Sequence, residues 1–189
     1  MMRSDVVSVA TPKQTFRAAV QTVWIEPLRA LGFVGSKAAS ARRVLRDEGL
    51  LQVLDLQWSR FNCDDEARVR VHAGAGPLGA LDTDQKFHLD ACPLTLTAEQ
   101  FYGKADVFWY VFGDGSTGAN QRMRRREFPN NWGQWRYDHA DAVALRAVLS
   151  ADFDQIYRPF FEHTATAAGY ARRVATGRDA LARELFAAR

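Results

Sequence analysis

The sequence predicts an α+β fold: an antiparallel sheet of about five strands, with an N-terminal helix and C-terminal helices packed mainly on one face. Two patterns carry that expectation. Between Ser40 and Ala73 apolar and polar residues alternate in runs separated by short polar turns. Such turns favour antiparallel pairing, because parallel neighbours need long crossovers. At both ends of the chain the apolar residues recur instead at the spacing that lines one helical face.

The first helix is read from Phe16, Val20, Val23, Trp24, Pro27, Leu28 and Leu31. Thr11 supplies a capping hydroxyl, Pro12 suits the first helical position, and Gly32 ends the helix. Pro27 lacks an N–H and should kink the last turns. A strand over Ser40 to Arg46 and a turn at Asp47, Glu48 and Gly49 lead into a run from Leu50 to Phe61, where Leu54, Leu56 and Trp58 alternate with Asp55, Gln57 and Ser59. After the acidic turn Asp64, Asp65 and Glu66, a further one-faced strand sets Ala67, Val69, Val71 and Ala73 against Arg68, Arg70 and His72.

Gly74 to Gln85 is small, polar and turn-forming, and reads as a loop; Phe87 and Leu89 mark the start of a further strand. Thr97 with Gln100 three residues on makes a capping box for a short helix that stops near Gly103. Val107 to Phe112 is apolar on both parities, as in a central strand covered on both faces, and Arg122 to Phe128 is expected to return antiparallel to it. Leu145, Leu149, Phe153, Ile156 and Phe160 keep helical spacing, with Ser150 or Asp152 available to cap a second helix and Pro159 as an interruption. A last helix is placed at about 176–188, opening at Thr176 with Asp179 as its capping partner and presenting Leu181, Leu185 and Phe186.

With 189 residues, 47% of them hydrophobic, the chain is long enough for one core and too apolar for extensive disorder. It is read as a single domain over 1–189, with its core at about 11–163. Twenty-five basic against 22 acidic residues leave a charge of only +3, which permits a nucleic-acid partner without pointing to one. Cys63 and Cys92 are the two cysteines, too few for a disulfide framework, so both are expected as free thiols. Met1 to Thr11 lacks the apolar core of a signal peptide, and the longest apolar run, Val107 to Phe112, is too short to cross a bilayer as a helix. A cytoplasmic location and no membrane partner are therefore expected.

Phe16 followed by "EPLRALGF" (Glu26 to Phe33), the strand "LDLQWS" (Leu54 to Ser59) and the alternation through Val69 and Val71 resemble the bacterial family described as domain of unknown function 4304. "YRPFFE", Tyr157 to Glu162, is a weaker echo. The resemblance covers mainly residues 11–75 and implies an α+β fold; it implies no activity and transfers no catalytic residues.

Two glycine patterns, Gly74, Gly76, Gly79 and Gly113, Gly115, Gly118, match the spacing of dinucleotide-binding turns. That chemistry needs a helix opening directly after the turn, and Pro77 in the first and the Arg-rich continuation in the second argue for ordinary turns. His88, Asp90 and Cys92 alternate and are competent metal ligands, but Pro93 follows at once and a solvated strand face explains them. His72, His139 and His163 have no partner at motif spacing, and no serine stands in a nucleophile elbow. The segment Arg122, Arg124, Arg125 and Arg126, with Phe128, Trp132, Trp135 and Tyr137, mixes phosphate-binding forks with stacking rings. Its plainer reading is a charged sheet edge that prevents pairing.

No catalytic, cofactor or metal residue is assigned on this basis. The leading expectation is a non-catalytic binding or interaction module engaging a protein or a second copy of itself, with Arg122, Arg124, Arg126, Trp132 and Trp135 as its candidate face. The alternatives are an enzyme whose site is assembled from residues distant in sequence, and nucleic-acid binding through Arg122–Arg126.

Overall fold

The computed structural model describes residues 10–36, 40–60, 62, 65–80, 92–103, 107–113, 134–139 and 141–187. Helix α1 (Pro12–Val20) begins where the sequence places it. The Thr11 hydroxyl accepts from the Gln14 N–H at 3.3 Å, and Gln14 Oε1 accepts from the Thr11 N–H at 2.8 Å, a complete capping box. A π turn (Gln21–Ile25) and α2 (Glu26–Ala30) follow without a break. The helix closes in a Schellman turn: the Phe33 N–H donates to Leu28 O at 3.0 Å and the Gly32 N–H to Arg29 O at 2.9 Å, with Gly32 at φ 88°.

The disruption expected at Pro27 takes the form of the π turn. The Glu26 N–H reaches back five residues to Gln21 O immediately before the proline, widening the turn where the ring would collide with a carbonyl of the preceding one. The same device recurs near the C-terminus. Helix α4 (Ala142–Asp152) passes through a π turn (Phe153–Tyr157), closed by the Arg158 N–H on Phe153 O, into α5 (Arg158–His163), whose second residue is Pro159.

Among the described residues, seven strands form the sheet: β1 (Val34–Ser36), β2 (Ser40–Leu45), β3 (Leu50–Trp58), β4 (Glu66–Pro77), β5 (Leu94–Thr97), β6 (Val107–Gly113) and β7 (Gln134–His139). They run in the order β1-β2-β3-β4-β6-β7, with β5 also against β4. Every pairing is antiparallel except β6 with β7, which are parallel. The α+β class and the mainly one-sided helical cover hold. The strand beside β6 is β7, in the opposite sense to the expected antiparallel return; the expected strand at Arg122–Phe128 lies outside the described residues.

Gly74 and Gly76 are not in a loop. They continue β4, level with Val53 and Leu51 of β3, while Ala73 and Ala75 between them are buried. Low strand propensity is overridden here by flanking strands on both sides, because β5 pairs with the same stretch. The three-residue 3₁₀ turn Leu78–Ala80 follows, so two of the three glycines of the first pattern stand in a strand and not in a turn. Gly113 ends β6 for a different reason: a Cβ there would collide with the backbone of Asp65 and Glu66.

One strand parity faces the helices. Leu54, Leu56, Val69, Val71, Ala73, Leu96, Tyr110 and Phe112 pack with Phe16, Val20, Trp24 and Leu28 from the N-terminal helix and with Leu145, Leu149, Ile156, Phe160 and Leu181 from the C-terminal ones. Leu31 is only partly buried at the margin of this core. Two C-terminal expectations need correction. Asp152 does not cap a helix; it lies inside the continuous α4, and Ser150 is an exposed residue of the same helix. Thr176 closes α6 (Ala167–Thr176), which Thr166 caps, rather than opening the last helix. Its hydroxyl donates back to the Arg172 and Arg173 carbonyls, and α7 (Arg178–Ala187) starts beyond Gly177.

Candidate functional site

The side of the sheet away from the helices holds a row of polar groups along β4. Alternation along β4 turns Glu66, Arg68, Arg70 and His72 to this side. The side is not fully solvated: Glu66, Arg68 and His72 are all buried. Arg68 Nε bonds Glu66 Oε1, with only 2% and 1% of the two side chains accessible, so two charges are held out of water by pairing. Level with His72 stand Asp55 on β3 and Thr97 on β5, which places an acid, an imidazole and a hydroxyl as cross-strand neighbours.

Arg70 sits at a break in the sheet. Strand β6 pairs with β4 from Glu66 to Val69 and β5 pairs with it from His72 to Ala75, so Arg70 and Val71 face a gap in the neighbouring lane. The gap is spanned by α3 (Ala98–Phe101), set by the Thr97–Gln100 capping box that the sequence announces. Glu99 on this helix meets Arg70: Nη2 donates to Oε1 at 2.5 Å. The pair is end-on, and Arg70 Nε and Glu99 Oε2 are buried without a hydrogen-bond partner. So is Trp109 Nε1. Tyr110 pairs with Val69, so Trp109 is one register step from it, at the level of Arg70, and its parity puts it on the same side of the sheet.

On the helix side of the same gap lies a second polar cluster. The Tyr110 hydroxyl donates to Asp152 Oδ2 at 2.6 Å, Tyr102 donates to Asp152 Oδ1, and the Tyr110 and Tyr157 hydroxyls are 3.3 Å apart. Burial first, then the negative charge of Asp152, pushes the Tyr157 hydroxyl well above the usual phenol range; Glu99 adds to the effect. Tyr110 is raised likewise, by burial and then by Tyr157 and Asp152.

Of the residues singled out from sequence, Arg122, Arg124, Arg126, Trp132, His88, Asp90 and Cys63 lie outside the described residues. Trp135 is in β7, level with Phe108 of β6. Cys92 is free and buried, its thiol pushed up to about 12 by burial, which suits an inert core thiol better than a metal-binding thiolate. Among the described residues no group of three or more His, Cys, Asp or Glu could hold a metal ion. His163 meets Arg173, whose guanidinium also grips Glu184. No helix among the described residues is long and apolar enough to cross a membrane.

Arg70, Glu99 and Trp109 were not singled out by sequence reasoning. The β4 alternation and the capping box place the first two on their elements, but the pairing of β4 with both β5 and β6 is a long-range fact that no local pattern carries. Compared with models of protein families, with curated proteins and with solved structures, the chain matches none.

Proposed function

We propose that this protein is a non-catalytic binding module that takes its ligand on the polar side of the sheet, at the break between β5 and β6. The observation that supports it is that the Arg70–Glu99 pair at the break, and Trp109 one register step beyond Tyr110, each keep a buried polar atom without a hydrogen-bond partner: Arg70 Nε, Glu99 Oε2 and Trp109 Nε1. Leaving one such group unpaired costs about 1–3 kcal/mol, so a ligand that satisfies several gains correspondingly. The three atoms themselves are shielded from solvent, so a ligand reaches them only as the Arg70 side chain, 27% accessible, or the half-buried Trp109 moves aside. The test is a survey of amino acids, short peptides, nucleotides and sugars by NMR of the 15N-labelled protein. Shifts centred on the Trp109 indole and the Arg70 Nε–H, weakened by Arg70→Met, are expected. Shifts centred elsewhere, or unchanged in Arg70→Met, count against the reading.

A second reading is favoured by one observation, the row Asp55, His72 and Thr97 across three neighbouring strands. These are residue types used in proton relays, and they are distant in sequence, as the enzyme alternative requires. A hydrolytic activity found in any substrate screen and abolished by His72→Gln, with the fold intact by circular dichroism, would favour it over binding alone.

A further inference from the structure

We infer that α6 is an acid-released flap, a helix held on the body by neighbours that grip it only while they lack a proton and that let go as pH falls. The device lies in the C-terminal helices and is independent of the sheet break. Helix α6 is weakly packed: Arg173 is its only buried residue, Tyr170 touches the core in part, and Val174 is 43% exposed. With so little apolar surface removed from water, its attachment rests on polar ties.

The ties to other elements all run to titratable groups. At the head of the helix the Ala167 N–H donates to Glu48 Oε2, on the turn between β2 and β3, at 2.6 Å. Farther along, the Arg173 side chain is only 9% accessible; its Nη1 and Nη2 donate to the two oxygens of Glu184 on α7, and Nη2 also meets Nδ1 of His163, the last residue of α5. A guanidinium has no lone pair to accept with, so Nδ1 is the acceptor and the imidazole is neutral, with its proton on Nε2. Gly169 allows this approach. A Cβ there would meet His163 O at 2.5 Å, so α6 begins hard against the residue that its arginine binds.

A second proton on His163 removes that acceptor and sets an N–H and a positive charge against the buried guanidinium. The charged groups on the elements that meet here are Arg172 and Arg173 on α6, Glu184 on α7, Glu48 on the β2–β3 turn and Glu162 on α5 itself. Glu162 is exposed, and Glu48 is committed to the Ala167 N–H. Glu184 would attract an imidazolium, but Arg173 already holds both its oxygens. Arg173 touches the ring directly, and Coulomb energies fall with distance, so repulsion at contact outweighs attraction from farther off. The docked state therefore binds fewer protons than the released one, and docking strengthens as pH rises and weakens as it falls. Imidazole is the side chain that changes charge between about pH 5 and 8, with carboxylates following in more acid solution. Glu184 comes later still, because the hydrogen bond from Arg173 holds its carboxyl below the ordinary range.

The test is hydrogen exchange of the full chain at about pH 7.5 and about pH 5, read by mass spectrometry and corrected for the intrinsic rate at each pH, which spans the imidazole range. Residues 167–177 are followed against β3, residues 50–58, as internal reference. In the wild type, protection over 167–177 should fall by about tenfold on acidification while β3 holds, the effect of one proton linked over about one pH unit. His163→Asn offers an oxygen near the Nδ1 position and does not titrate, so it should keep its protection in acid. Arg173→Met should be poorly protected at both pH values. Unchanged wild-type protection overturns the inference, as does an acid loss of equal size in His163→Asn, or full protection in Arg173→Met. A loss shared by β3 also overturns it, since that is general unfolding and not release of one helix. Should His163→Asn fail to fold, the wild type and Arg173→Met decide by the same criteria.

Discussion

The indole N–H of Trp24 donates to the backbone carbonyl of Leu149 at 2.7 Å, joining the N-terminal helix to α4 across 125 residues of sequence. The ring is fully buried and meets Tyr110 and Tyr157 edge-on, with centroids 5.3 and 5.5 Å away. Trp24→Ala should cost about 3–5 kcal/mol, the range for deleting a large buried aromatic. Trp24→Phe should cost less. It keeps an apolar ring, and Leu149 O still accepts the helical bond from the Phe153 N–H. Urea unfolding of both variants checks this; a loss below about 1 kcal/mol for the alanine variant, typical of surface changes, contradicts the packing.

Glu66 and Arg68 form an ion pair that is almost wholly buried, and such pairs respond asymmetrically to mutation. Arg68→Met leaves the Glu66 carboxylate buried without the Arg68 charge and should cost about 3–5 kcal/mol. Glu66→Gln with Arg68→Met removes both charges and should be clearly more stable than Arg68→Met alone. A double-mutant cycle by denaturant unfolding measures the coupling; strictly additive losses would show that the pair acts as two independent groups.

Much of this architecture is legible locally. Thr11, Gly32, the Leu54–Leu56–Trp58 alternation and the Thr97–Gln100 box each lie within one element, and each appears in the structure as the sequence indicates. What fails does so because a distant partner decides. Gly74 and Gly76 look like loop until β3 and β5 bracket them, and Asp152 looks like a cap until Tyr102 and Tyr110 supply its hydrogen bonds from elsewhere. The binding position is the extreme case. Arg70 is one of three alternating polar residues in the "RVRVH" stretch and acquires its setting only because two different strands share the far edge of β4.

Tyr110 and Tyr157 should be silent in an alkaline titration of the folded protein. Burial, foremost, and the nearby negative charge of Asp152 both favour their neutral forms. Their folded-state values are raised, so the unfolded chain loses these protons first, at about pH 10. The stabilisation they contribute is therefore fully present below that pH and is lost as pH rises through the folded-state values. Ultraviolet absorbance should show fewer than the five tyrosines of the chain ionising before the unfolding transition. The decline of stability with alkaline pH should be shallower in Tyr157→Phe. Ionisation of all five near pH 10 with the fold intact rules the arrangement out.

Glu184 offers the opposite sign. Its carboxylate lies on the solvent side of α7, and the hydrogen bond from the Arg173 guanidinium holds it below the ordinary glutamate value. A depressed value in the folded state means that the unfolded chain takes up the proton first as pH falls. The contribution of the pair is thus present above about pH 4.3, the unfolded glutamate value, and is lost as pH falls through the folded one. Glu184 is 56% accessible, so solvent and salt screen the interaction and the effect on stability should be small. The titration itself is the sharper readout. Carboxyl 13C NMR should place Glu184 below the ordinary range in the wild type at low salt, nearer to it at high salt, and within it in Arg173→Met. An ordinary Glu184 titration in the wild type at low salt would show that Arg173 does not engage it in solution.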